Sequence, residues 1–398
     1  MKQVAIVNAS STDSGQAMTA TSLREIDDAQ RETPPPGAKR RPWLETLQLV
    51  LDKGGPGFCQ FALNNACNAN CGFCNFARDS LPKSHWKFVD RQGAFDAMDI
   101  MYRQGIRYLL FTGGEPTLHP DIVDFARYGA GLGMKVMLVS NAGLFKPHKL
   151  RELHAAGVSS FIISVDAASA ELHEQNRGLP GVCDKIREAV AVLKELGVQA
   201  TASVTMSRLV DYDALPDFLT SLGFTAVTFS YPLTHLNSNF LGFSESNLVD
   251  YDKAELLAAF AKVEAMKKRF RVVNPSASIA DMRRHLDGAP ERFPCLGGYR
   301  YFYLDWDLMM WRCHYWEAPM CSIYEFDDSK LVRDNCTRCM IDCYRDSSVM
   351  QHVAVSVHDA YKALRQGRVR DSARALTRQG NLGSLGAVLE ELPWIIRF

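Results

Sequence analysis

The stretch Cys67-Asn-Ala-Asn-Cys71-Gly-Phe-Cys74 puts three thiols within eight residues, spaced by three and then by two. On a loop such side chains can converge on one point, which suits a metal centre. Three thiolates on a four-iron cubane leave one iron with an open coordination site, where a small molecule can be bound and activated. A structural zinc site would need a fourth ligand, and no Cys or His stands at a usual zinc spacing nearby; His85, eleven residues on, reads as a loop residue. Six further cysteines fall between Cys295 and Cys343, while Cys59 and Cys183 stand alone and read as small buried hydrophobes. Without an export signal, eleven cysteines read as two metal sites rather than a disulfide framework.

Those thiols need a scaffold, and the hydrophobic pattern supplies one. The apolar runs Phe58–Leu63, Tyr108–Phe111, Val136–Val139, Phe161–Val165, Ala202–Val204 and Val227–Phe229 predict strands. Between them, Gln92–Arg103, Ile122–Gly131, His148–Ala155, Ile186–Leu196 and Ala214–Leu222 predict helices, with a glycine just past each end as a left-handed cap. Six strand-helix alternations predict an α/β fold: a partial (β/α)6 TIM-like barrel with its chemistry at the C-terminal ends of the strands. The polar clusters obey that rule. The cysteine loop follows the first strand, Gly113-Gly114-Glu115-Pro116 the second, Ser140-Asn141 the third and Asp166 the fourth.

Residues 1–56 read as an N-terminal arm, partly disordered or helical, with a Pro-rich segment at Thr33–Gly37 and helical spacing over Trp43–Leu51. The barrel takes 57–272, a linker and cysteine-rich β-hairpin module 273–350, and a helical tail 351–398. A formal net charge of zero leaves no electrostatic footprint for nucleic acid. No apolar run is long enough to span a bilayer and no secretory signal opens the chain, so a cytoplasmic protein is the default.

The Cys-x3-Cys-x2-Cys loop, with Phe73 at the aromatic position before its last cysteine, resembles the signature of radical S-adenosylmethionine (SAM) enzymes, and the resemblance runs over roughly residues 58–343. It implies that Cys67, Cys71 and Cys74 hold a [4Fe-4S] cluster whose open iron is chelated by SAM. Gly113-Gly114-Glu115-Pro116 resembles the segment that binds the SAM amino group; its glycines let a backbone come close and Glu115 can accept from an ammonium. Ser140-Asn141-Ala142-Gly143 resembles the family's Thr-Asn-Gly and implies a contact from Asn141, with Ala142 as an extra residue. Ser164 and Asp166 resemble the Ser-Leu-Asp that ends the fourth strand. Arg177, in Asn176-Arg177-Gly178, is then expected to pair with the SAM carboxylate through its planar fork, with Asn176 replacing an apolar residue.

Farther on, Tyr299–Tyr303 and Leu308–Arg312 flank Asp305-Trp306-Asp307 and predict a β-hairpin, with Cys295 before it and Cys313 after it. Cys336-Thr-Arg-Cys339-Met-Ile-Asp-Cys343 follows. This resembles the SPASM or twitch extension that carries auxiliary [4Fe-4S] clusters, although Leu308 stands where a turn glycine is common. Six thiols are too few for two fully ligated cubanes, so one auxiliary cluster is expected. Cys295, Cys313, Cys336 and Cys339 are its favoured ligands, Cys343 a strong rival and Cys321 a weaker one; a structural zinc site with four cysteine ligands is the alternative.

The resemblance implies reductive cleavage of SAM to a 5′-deoxyadenosyl radical that takes a hydrogen atom from a small-molecule or peptide substrate, with electrons from a donor such as flavodoxin or ferredoxin. The substrate radical is then oxidised or forms a carbon-carbon bond with help of the auxiliary cluster. Maturation of a ribosomal peptide and adenosyl addition to a lipid alkene, as in hopanoid-modifying relatives, are alternatives, as are an iron-sulfur electron carrier and a zinc-binding module outside catalysis. Tyr231, His235 and Asn237 on the loop after the sixth strand, and Trp311 and His314 beside the second cysteine set, are candidate substrate contacts.

Overall fold

Strand and helix alternate as the apolar pattern requires, in a computed structural model that describes residues 42–232 and 246–395. The chain divides into two units, Met1–Glu45 and Thr46–Phe398, and the fold below is that of the second. After α1 (Pro42–Lys53) come β1 (Gly57–Ala62), α2 (Arg91–Arg103), β2 (Ile106–Thr112), α3 (Ile122–Leu132), β3 (Lys135–Ser140), α4 (Pro147–Ala155) and β4 (Val158–Ser164). The alternation continues through α5 (Ala170–Arg177), α6 (Val182–Glu195), β5 (Gln199–Thr205), α7 (Leu215–Ser221), β6 (Ala226–Ser230), α8 (Lys253–Met266), β7 (Arg271–Val272) and α9 (Ser276–Leu286). Then follow β8 (Tyr301–Leu304), β9 (Met309–Trp311), β10 (Cys321–Ser322), α10 (Asp342–Arg365), α11 (Val369–Leu376) and α12 (Asn381–Ile395).

Local chemistry sets the boundaries. Asp90 caps α2 by accepting from Gly93 N at 2.9 Å, and Asp252 and Glu255 form a capping box at the start of α8. All five glycines expected past helix ends have positive φ.

The strands form one ten-stranded sheet in the order β10-β9-β8-β1-β2-β3-β4-β5-β6-β7, parallel from β8 to β7. The hairpin is therefore no separate module: β8 pairs with β1 in parallel from Phe58↔Tyr301 to Phe61↔Leu304 and continues the barrel wall. Among the described residues no ladder joins β7 to β10, so the barrel is open. The start of α10 stands in that opening, where Asp342 Oδ1 accepts from Tyr231 N at 2.8 Å and Cys343 meets Gln60 and Tyr301.

Period-two alternation divides each strand between two faces. Cys59, Phe61, Leu109, Phe111, Val136, Leu138, Phe161, Ile163, Ala202, Val204, Val227 and Phe229 pack outward in one core with the helices. The opposite parity faces the barrel interior, and its composition matters below.

Candidate active site

The cysteine loop is pinned by the strand ends around it. Asn70 N donates to Arg177 O at 2.7 Å, Arg78 N to Ala69 O at 2.7 Å, and Ala69 N to Cys67 Sγ at 3.4 Å. Burial pushes the Cys67 thiol up to about 11 and raises those of Cys71 and Cys74 as well. One buried and two half-buried thiols that resist ionisation alone, around a nearby guanidinium, are the donor set a cationic iron cluster would satisfy. Among the described residues no three His, Cys, Asp or Glu side chains converge as ligands of a single ion. In a cubane each thiolate binds a different iron, so its ligands need no such convergence.

Gly113 and Gly114 are needed for a different reason from the one expected. A Cβ at Gly113 would stand 2.2 Å from Asn64 O, and one at Gly114 2.1 Å from Ala66 O. The glycines admit the chain leading into the cysteine loop, and Glu115 N seals the contact by donating to Ala66 O at 2.7 Å. Glu115 itself is buried and already held. Its carboxylate accepts from Thr117 N (3.1 Å), Thr117 Oγ1 (2.5 Å), Ser140 Oγ (2.9 Å) and Asn141 N (2.8 Å), fixing the end of β3 to the end of β2. Burial nonetheless raises its pKa above the ordinary value.

Asn141 reaches the loop: Nδ2 donates to Asn68 Oδ1 at 2.8 Å and approaches Cys67 Sγ at 3.8 Å. The extra Ala142 takes left-handed backbone, φ 61°, which lets Gly143 N donate to Asn141 Oδ1 at 2.8 Å.

Asp166 and Arg177 form a buried pair, Nη2 to Oδ1 at 2.6 Å. Burial alone would raise the Asp166 carboxyl, but the Arg177 guanidinium holds it below the usual range. Arg177 was expected to meet the SAM carboxylate; here one corner of its fork is engaged by Asp166, while its buried Nε has no protein partner. That orphan donor, within electrostatic reach of Cys71 and Cys67, leaves the fork able to take an anionic group. Asn176 was overlooked as a positioning residue. It donates to Asp166 Oδ2 at 2.8 Å and accepts from Gly72 N at 3.2 Å, tying the loop to the end of β4. Ser164 ends β4 opposite Ser203, and Phe73 is half-buried.

In the second set, Cys313 is within electrostatic reach of Cys339 and Cys295, and Cys339 of Cys295 and Cys336. Burial pushes Cys313 up to about 12 and Cys339 up to about 11. Cys343 turns instead toward Gln60 and Tyr301. Cys321 is removed from contention: it pairs with Met310 on β9 and packs into the main core. Cys59 and Cys183 are buried in that core, as expected. Leu308 adopts φ 60° at the hairpin turn, and its side chain fills the space over Gly93.

Trp311 lies nearer the first loop than the second set. Its indole donates to Asp305 Oδ2 at 2.7 Å, and it packs with Tyr303, Trp306, Cys67, Cys71 and Cys74. His314 is edge-on to Tyr303 and Tyr344, and burial takes its pKa down to about 3, so it is neutral. Tyr231 follows β6; His235 and Asn237 lie outside the described residues.

The interior face is two-sided, and apart from Lys135 and Arg271 its described strand residues are uncharged. On β4, β5 and β6 it presents the hydroxyls of Ser160, Ser164, Thr201, Ser203, Thr205, Thr228 and Ser230, with Gln199 and the apolar Ile162 and Ala226 among them. On β8, β1, β2 and β3 it presents Tyr301, Tyr303, Phe58, Gln60, Tyr108, Leu110 and Met137, with Phe58 and Tyr301 stacked at 4.6 Å. Among the described strand residues of this parity the only cations are Lys135 and Arg271, both at strand starts, opposite the cysteine rim.

The profile of the radical SAM superfamily matches residues 61–219, which hold the cysteine loop, Glu115, Asn141, Asp166 and Arg177. Residues 61–219 are a radical SAM domain. S-adenosylmethionine and a [4Fe-4S] cluster are the cofactors of such domains, and the donor set at the rim fits both.

The domain is 32% identical over 160 residues to an AdoMet-dependent heme synthase of Methanosarcina barkeri, covering 40% of this chain and 45% of that protein. It is 26% identical over 178 residues to a GTP 3',8-cyclase of Listeria welshimeri, covering 44% of this chain and 53% of that protein. The chain thus spans about half the length of the curated relatives it matches. A solved structure of Streptococcus suis SuiB bound to the precursor peptide SuiA aligns with TM-score 0.51 and 15% identity over 77% of this chain and 68% of that one, a likeness of fold. Beyond the radical SAM domain, no described helix is long and apolar enough to cross a membrane.

Proposed function

We propose that the protein is a radical SAM enzyme that acts on an uncharged polar substrate within the barrel and uses one auxiliary [4Fe-4S] cluster. The observation that carries the reading is the convergence of Cys67, Cys71 and Cys74 with Asn141 and the Asp166–Arg177 pair on one rim. When bound, the cluster supplies one electron to SAM, which gives methionine and a 5′-deoxyadenosyl radical able to take a hydrogen atom from unactivated carbon.

The chain's own residues hold and shield. Cys67, Cys71 and Cys74 would hold the cluster, Arg177 with its unpartnered Nε would take the SAM carboxylate, and Glu115, already tied to β3, would accept from the amino group. Asn141, Ser164 and Phe73 border the same ligand. Trp306, Trp311 and Tyr303 keep water from the cysteine loop.

The substrate class follows from the interior face. A nucleoside triphosphate or polycarboxylate would bring several negative charges into a barrel whose described strand residues present no cation at the cysteine end, where Arg177 is assigned to SAM. Near the rim, Arg78, Arg208 and Arg312 are paired with Asp79, Glu255 and Asp334. Seven hydroxyls opposite an aromatic wall suit a molecule with hydrogen-bonding groups on one side and an apolar face on the other, such as a polyol or a neutral stretch of peptide.

Cys295, Cys313, Cys336 and Cys339 ligate the auxiliary cluster, with Cys343 in reserve. The start of α10 lies beside the barrel opening, so a cluster held by these thiols would supply a one-electron acceptor near the substrate.

Anaerobic reconstitution tests the assignment. Two clusters predict about eight irons per chain, falling to about four when Cys67, Cys71 and Cys74 are all replaced by Ala. The reduced wild type should change its electron paramagnetic resonance signal on addition of SAM. Zinc in place of iron, or a signal indifferent to SAM, would refute the reading.

A further inference from the structure

A buried hydroxyl beside the second cysteine set is left over by the protein's own hydrogen bonding. Tyr344, in the first turn of α10, is 2% exposed, and its hydroxyl has no partner among the described residues. A buried hydroxyl ordinarily finds an acceptor, because leaving it dry and unpaired is costly. The neighbouring phenol of Tyr301 is satisfied, accepting from Gln60 Nε2 at 2.8 Å. Around Tyr344 the polar atoms are sulfurs. It packs in one group with Cys295, Cys313, Cys339 and Cys343, and its hydroxyl is within electrostatic reach of Cys295, Cys313 and Cys343. Three of these thiols each accept a backbone N–H: Cys295 from Gly297 at 3.3 Å, Cys313 from Tyr315 and Cys339 from Ile341. The ring is also held in place. Tyr301 and His314 meet it edge-on, with centroids 4.6 and 5.5 Å away. Gly297 lets ring and thiol share one space, since a Cβ there would stand 3.2 Å from Tyr344 Cδ1 and 3.3 Å from Cys295 Sγ.

We infer that the Tyr344 hydroxyl is a positioning group for the auxiliary cluster, donating a hydrogen bond to one of its sulfurs and setting its reduction potential. The inference rests on the auxiliary-cluster reading above. A neutral phenol carries one O–H to donate, and thiolates bound to iron are anionic acceptors at the place where this donor is otherwise unpaired. Hydrogen bonds to the sulfurs of an iron-sulfur cluster stabilise its reduced, more negative state and so raise its potential. Backbone donors such as Gly297 N–H make the same kind of contact but survive any change of side chain. Tyr344 is the part of that shell that substitution can remove, and it favours uptake of one electron at the second site.

A redox titration followed by electron paramagnetic resonance decides the matter in the full chain carrying Cys67→Ala, Cys71→Ala and Cys74→Ala, where the second site stands alone. Adding Tyr344→Phe should leave about four irons per chain and an unchanged circular dichroism spectrum. The reduction equilibrium should weaken by about tenfold, a midpoint lower by about 59 mV for one electron. Tyr361→Phe, near the far end of α10, should move neither iron nor midpoint. A midpoint that stays or rises in Tyr344→Phe, with its iron retained, would overturn the inference and leave the auxiliary cluster standing. Loss of iron in Tyr344→Phe would make the hydroxyl a structural group and overturn it as well. A background chain that binds zinc, or no metal, would sink the cluster reading itself and the inference with it.

Discussion

The two cysteine sets solve one problem in different ways. At the barrel rim the three thiols come from one short loop, and the residues around them are polar, buried and paired with each other: Glu115 with Ser140, Asp166 with Arg177 and Asn176. In the second set the thiols come from three stretches of chain and lean on aromatic rings, and the nearby Arg312 pairs with an Asp334 that is half exposed. The first site is organised as a rigid cradle for a charged ligand. On the proposed reading, the second would need only to hold its cluster and pass charge.

Replacing one thiol in each set should break that comparison most sharply. Cys71→Ala should lower SAM cleavage by at least about a thousandfold, whereas Cys313→Ala should leave uncoupled cleavage within a few fold. Product analysis of the two variants checks this; equal losses would erase the distinction.

The arginines give the next largest contrast. Arg177→Ala leaves the Asp166 carboxylate buried without its partner and should destabilise by about 3–5 kcal/mol. Arg312→Ala leaves Asp334 half exposed to solvent but removes a buried side chain stacked on Trp316, and should cost less, about 1–3 kcal/mol. Denaturant unfolding of both variants measures the gap.

A smaller effect is expected at Asn176. Asn176→Ala removes two hydrogen bonds that tie the loop to β4 and should weaken SAM binding by about tenfold, read by equilibrium titration, with little change in iron content.

The smallest effect is in pH. Asp166 has its folded pKa depressed, so its stabilising contribution is fully present above the unfolded value of about 4 and is lost as pH falls through the lower folded value. Asp166→Asn should therefore show a flatter loss of stability below about pH 4 than the wild type.

Much of the fold was legible because its signals are local. Six apolar runs became β1 to β6, and the polar clusters came to the ends of β1 to β4 as parallel packing demands. The pairing of β8 with β1 was not legible, since it joins Phe58 to Tyr301, residues far apart in sequence, and neither strand's composition names its partner. At the site, residue types identified Cys67, Cys71, Cys74, Glu115 and Arg177 as candidates, but not their partners. The steric demand at Gly113 and Gly114 comes from Asn64 and Ala66, and Asn176 reaches from its helix to Gly72, 104 residues away in sequence. Leu308 broke the expected turn pattern because Gly93, far away in sequence, makes room for it. For the second set, a count of thiols fixed one cluster as the expectation; only the β10 pairing of Cys321 and the orientation of Cys343 narrowed the ligands.

The central claim is that the rim holds a cluster and SAM for reductive cleavage. Its most direct test is anaerobic incubation of the reconstituted chain with SAM and dithionite, followed by chromatography of the nucleoside product. The account predicts 5′-deoxyadenosine and methionine in equal amounts from the wild type and neither from Cys71→Ala. Full cleavage by Cys71→Ala, or an iron-loaded wild type that leaves SAM intact, would contradict it.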